Sequence, residues 1–158
     1  MLSGNYNGAI RILRGLAEKH PNSADLQVQL AIAYARRGDL GLAVTAALRA
    51  VQIEPKNPVY RNSLATYLCL GGRYAEALPH AQEAVKQSPS SASEDTLAHA
   101  AFGTGHWDEA VRAWDAVLAE KRNYFTAPPI NCLEDEARYK EAGKKAAKLL
   151  GPAKSTTP

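Results

Sequence analysis

The chain has 158 residues, 46% of them hydrophobic and 7% aromatic, with 19 Lys and Arg against 16 Asp and Glu. That length supports one extended domain with its own core, and a net charge of +3 spread along the chain falls short of the basic stripe that nucleic-acid binding needs. The apolar runs are only a few residues long, which excludes a transmembrane helix, and no basic-then-apolar leader is read at the N-terminus.

In chain order, the first predicted helix runs from about Tyr6 to Lys19 and carries Ile10, Leu13 and Leu16 at steps of three. Pro21 interrupts it, and Asn22 and Ser23 then offer caps for a second helix bearing Val28, Leu30, Ala31, Tyr34 and Ala35. Gly38-Asp39 stops that helix, since glycine accepts the left-handed conformation a helix end often takes. Leu40, Ala43, Val44, Ala47, Ala50 and Val51 form the next apolar stripe, and Pro55 closes it. The pattern returns with Leu64-Ala65, Leu68, Gly72, Tyr74, Ala77, Ala81, Ala84 and Pro89, and again with Leu97-Ala98, Ala101, Gly105, Trp107, Ala110, Trp114 and Val117. Pro79 falls inside one of these helices, which predicts either a kink or a proline held near the helix start on the solvent side.

The return is periodic. Ala9, Ala43, Ala77 and Ala110 follow one another at 34, 34 and 33 residues, and Pro21, Pro55 and Pro89 are each 34 apart. Such a period means a stack of helical hairpins, none able to bury its apolar face alone. After Arg122 the pattern breaks: Ala127-Pro128-Pro129 predicts an irregular bridge. A last helix follows, capped by Asn131 with Glu134, acidic at its start and lysine-rich at its end. Gly151-Pro152 ends it, and the tail beyond is expected to be disordered.

Leu30-Ala31, Tyr34, Gly38, Ala43, Ala50 and Pro55 stand in the order of a tetratricopeptide repeat, as do Leu64-Ala65, Gly72, Tyr74, Ala77, Ala84 and Pro89. Leu97-Ala98, Gly105, Trp107 and Ala110 match again without the closing proline, so residues 4 to 121 resemble that family. Gln27, Arg61 and Glu94 occupy the place of the family's usual early aromatic. The resemblance implies an all-α fold: an α-solenoid of antiparallel helix-turn-helix repeats in a right-handed superhelix, with a C-terminal capping helix. The expected division is a half repeat (4–23), full repeats (24–57, 58–90 and 91–122), a bridge (123–131), a terminal helix (132–150) and a tail (151–158).

The resemblance also implies a function: first helices of successive units line a groove that holds a partner protein or peptide. The rows Val28, Asn62, Asp95; Ile32, Thr66, His99; and Ala35, Cys69, Phe102 step through the period, flanked by Gln29, Ser63, Thr96 and Arg36. Repeat domains that grip acidic chaperone tails use a Lys/Asn/Lys/Arg set on these faces. Val28, Ile32, Ser63 and Thr96 stand at the corresponding places, so a charge-assisted clamp on a terminal carboxylate is not expected.

Enzymatic chemistry finds little support. Asp95 and His99 are one helical turn apart, a spacing common on solvated helix faces. His20, His80 and His106 are isolated, and Cys69 and Cys132 make neither a CxxC nor a metal-ligand spacing. No cofactor and no metal is expected. The two cysteines read as free thiols and say little about compartment; the location is left open, with the cytoplasm slightly favoured over the periplasm. The expected function is therefore a non-enzymatic interaction scaffold. Alternatives are a regulatory or targeting segment of a larger enzyme, or a structural subunit docked through Ile10, Leu13 and Leu16, as a homo-oligomer or within a complex.

Overall fold

A computed structural model describes residues 6–122 and 132–150. The described residues form eight helices: α1 (Tyr6–Lys19), α2 (Ala24–Arg37), α3 (Leu40–Ile53), α4 (Pro58–Leu70), α5 (Tyr74–Gln87), α6 (Ser91–Thr104), α7 (Trp107–Arg122) and α8 (Cys132–Leu150). The expected bridge at Pro128-Pro129, the Asn131 cap and the tail from Gly151 lie outside the described residues.

Local chemistry sets the helix ends. The Ser23 hydroxyl accepts from the Leu26 amide, Asn57 accepts from the Val59 amide, and Ser90 with Ser93 closes a reciprocal capping box. Gly38, Gly72 and Gly105 are the positive-φ residues among those described, and each makes the turn of one hairpin. Pro79 is accommodated in a continuous α5, where it stands exposed in the second turn.

Each helix packs antiparallel on its neighbour in sequence, and α2, α4 and α6 also pack beside one another. The second helices α3, α5 and α7 show no comparable contact among the described residues. The first helices thus gather into an inner face while the second helices spread on the outer one. Small residues permit the close approach: Ala31, Ala43, Ala65, Ala77, Ala98 and Ala110 are all fully buried. Tyr60 of α4 donates its hydroxyl to the Asp25 carboxylate of α2 at 2.6 Å, fastening two units.

The two ends of the stack differ. At α1, Ile10 is only 5% exposed and Leu13 packs partly against the core, so these side chains are satisfied within the chain rather than open to a partner. That corrects the docking face read from the sequence: the stripe of α1 that meets α2 is Tyr6, Ile10, Leu13 and Ala17. The open stripe is Ala9, Ile12 and Leu16, whose period equivalents Ala43, Ala46 and Ala50 are buried. At the other end α8 lies antiparallel on α7. Tyr139 packs on Trp114 and bonds Asp115, Lys145 sits 4.3 Å over the Trp107 ring, and Ala142 and Ala146 are buried.

Candidate functional site

The inner face is built by α2, α4 and α6, and helical spacing decides which residues it shows. On α2 these are Gln29, Ile32 and Arg36; on α4 they are Val59, Asn62, Ser63, Thr66 and Leu70. Ile32 is 38% exposed, Val59 64% and Leu70 61%, so three aliphatic side chains stand in water along one surface. Val59 and Leu70 extend the rows read from the sequence. Leu70 follows from the same period, being 34 residues past Arg36, whereas Val59 stands one turn before Asn62 and Ser63 on the same stripe of α4.

The polar residues of this face are largely engaged with their own helices. Ser63 donates to the Val59 carbonyl, Thr66 to Asn62 and Thr96 to Ala92, each at 2.9 Å, the back-bonding habit of helical hydroxyls. Thr66 and Thr96 meet at 3.2 Å, and the Cys69 thiol points at the Thr96 carbonyl, so α4 and α6 are joined by small polar groups. Burial pushes the Cys69 thiol up to about 11, which keeps it protonated and unreactive at neutral pH. Asn62 is different: its side-chain oxygen is buried with no hydrogen-bond partner, an acceptor without a donor in the floor of the face.

Three sequence-predicted site residues on α6 are placed otherwise than expected. Thr96 is buried, a seam between helices rather than a surface contact. Phe102 packs its ring on Trp107 and Trp114 and is capped from α8 by Lys145 at 6.0 Å. It therefore belongs to the joint that holds α8. His99 stands edge-on to Trp114 at 5.6 Å and contacts the Asp95 carbonyl through Nδ1 at 2.8 Å. The Asp95 carboxylate is half-exposed and 3.7 Å from His99 Nδ1. Val28 is half-buried against the core, while Gln29 and Arg36 are exposed at the edge.

No group of three or more His, Cys, Asp or Glu residues converges on a metal-sized site among the described residues, and none of the described helices is long and apolar enough to cross a membrane. The arrangement offers an apolar ledge, one buried acceptor and one carboxylate.

Comparison with known proteins agrees with this geometry. Residues 1–67 match one tetratricopeptide-repeat family and residues 59–86 match a second. The chain is 32% identical over 77 residues to small glutamine-rich tetratricopeptide repeat-containing protein 2 of Mycosarcoma maydis, an alignment covering 48% of this chain. It spans only 22% of the length of that relative. Among solved structures, MamA (residues 41 to the end) from Desulfovibrio magneticus RS-1 superposes with a TM-score of 0.71 at 21% identity, over 98% of this chain and 89% of that one. The first repeat domain of human RPAP3 gives 0.65 at 19% identity, over 81% and 95%. Identities this low establish a shared fold.

Proposed function

The chain belongs to the tetratricopeptide-repeat family, and from that premise we propose that it is a non-catalytic scaffold whose inner face holds a segment of a partner protein. The observation that carries the reading is the line of Ile32, Val59 and Leu70, three exposed aliphatic side chains flanking the unpaired acceptor of Asn62. Covering a fully exposed Val, Leu or Ile contributes about 1.5–3 kcal/mol, so covering these partly exposed three contributes a fraction of that each toward holding a segment. Asp95 adds direction: its half-exposed carboxylate accepts, so the partner segment presents donors (a free backbone N–H, a lysine or an arginine) at that end.

A photo-crosslinking residue placed at Val59, compared with one at the exposed position Lys86 of α5, away from both the inner face and the α1–α3 side, tests this in extracts of the source cells. The reading expects one partner captured from Val59 and not from Lys86. Equal capture at both places, or none at Val59, would move the site off the inner face.

A second reading concerns assembly. Ala9, Ile12 and Leu16 of α1 are exposed where the period equivalents in α3 are buried by a first helix. That open stripe supports docking into a larger complex or onto a second copy through the α1 end. Light scattering separates the two: a monomer that stays monomeric at high concentration leaves only the complex.

A further inference from the structure

On the far side of α2 from the inner face a cleft of about 500 Å³ opens between α1 and α3. Both helices pack on α2 but not on each other, so a trough is left with Leu30 and Tyr34 of α2 as its floor. Part of the space has a simple origin. Gln27 lines the cleft at the place where the second unit has Arg61; that arginine is half-buried and bonds back to the Pro55 carbonyl, which fills its own position.

The walls combine two features that water alone does not favour. Leu42 is 47% exposed and Leu48 42%, both bordering the cleft. Arg14 and Arg49 border it as well, and neither has an ion pair or hydrogen bond among the described residues, whereas Arg37 is held by Asp39 and Arg73 by Glu76. Glu18 is the one acidic group on the rim. The surrounding surface has the same sign: residues 6 to 53 hold six Lys and Arg against three Asp and Glu.

We propose that this outer cleft is a second docking site, independent of the inner face, for an amphipathic helix of a partner protein that carries carboxylates beside its apolar side chains. Charge complementarity selects the occupant: apolar anchors reach Leu30, Tyr34, Leu42 and Leu48, and flanking Glu or Asp meets Arg14 and Arg49. A trough between two helices accepts a third laid along it, with anchors at steps of three and four. An anionic membrane would satisfy the arginines but, being flat, would leave the recessed floor of Leu30 and Tyr34 uncovered.

The test uses a fluorescein-labelled peptide of about fourteen residues, the length of the helices walling the cleft, with Leu at helical spacing and Glu at the flanks. Its twin has Lys in place of Glu. Anisotropy with the full chain is expected to show binding of the Glu peptide, weakening with salt, and none of the Lys peptide. The Arg14→Ala/Arg49→Ala variant weakens binding about tenfold with unchanged helicity, and an Ile32→Asp/Leu70→Asp variant of the inner face leaves it intact. Failure of the Glu peptide to bind, equal binding of the two peptides, full binding by the arginine variant, or loss in the inner-face variant overturns the proposal. So does capture of phosphatidylserine vesicles in place of the peptide.

Discussion

The inner faces of α2 and α6 occupy equivalent places in the repeat, yet one is open and the other is committed to packing. On α2, Ile32 and Arg36 face water. On α6, the residues two periods on are engaged: His99 is edge-on to Trp114, and Gly103 lies so close to Tyr74 that a Cβ there would sit 2.1 Å from the ring. Phe102 is covered by Lys145 of α8. The comparison teaches that a repeat position carries a direction, not a role. What stacks next to it decides whether it recognises a partner or holds the array together.

If that is right, substitutions in the packed joints, those of α6 above all, cost stability, and substitutions at the exposed inner-face positions of α2 and α4 cost binding. The largest effect is expected at Trp114, which His99, Phe102 and Tyr139 all surround. Trp114→Ala should lower stability by about 3–5 kcal/mol and the melting temperature by roughly 10 °C, read by circular dichroism. A drop of only a degree or two would mean that the aromatic joint does not hold the C-terminal end.

Next comes the fastening between α2 and α4. Hydrogen bonding to the Asp25 carboxylate and then burial push the Tyr60 phenol up to about 12 from its ordinary 10. A raised phenol means the folded state favours the neutral form, so this contribution is complete below pH 10 and is lost as the pH rises toward 12. Tyr60→Phe should cost about 1.5–3 kcal/mol at neutral pH, with the gap to wild type closing between pH 10 and 12. A gap that stays constant across that range would deny the coupling.

Gly103→Ala is a smaller test of the same contrast. Overpacking against the base of the Tyr74 ring costs about 1–3 kcal/mol, and the better helix propensity of alanine returns about 1. A net loss of about 1 kcal/mol and a fall of roughly 3 °C are expected in thermal melts. Ile32→Asp, on the open α2 face, should change stability by less than about 0.5 kcal/mol. A large loss there would erase the difference between the two helices.

How much of this was legible beforehand follows from what a period can encode. Gly38, Gly72 and Gly105 announced the hairpin turns because a left-handed residue leaves few alternatives, and the alanine spacing announced the helix pairs. The rows through Ile32 and Thr66 also came from the period, and the same arithmetic would have added Leu70 from Arg36, whereas Val59, the equivalent of Asp25, lay outside them. Contacts made across long sequence separations were not. Nothing in the rows signals that Lys145 closes over Phe102, or that Thr96 turns its hydroxyl to Ala92 and Thr66. At α1 the three apolar residues looked alike in sequence, and only packing on α2 separated buried Ile10 from exposed Leu16.

The central claim is that the inner face holds a partner polypeptide through residues the fold itself does not need. The direct measurement is calorimetric titration of the crosslinked partner's segment into wild type and into the Asn62→Ala/Asp95→Ala variant, with melting recorded on both. Asn62 carries a buried acceptor that no donor meets, so removing it should leave the free protein at least as stable. The account predicts an affinity about tenfold weaker in the variant at an unchanged melting temperature. Equal affinity in the two proteins would contradict it.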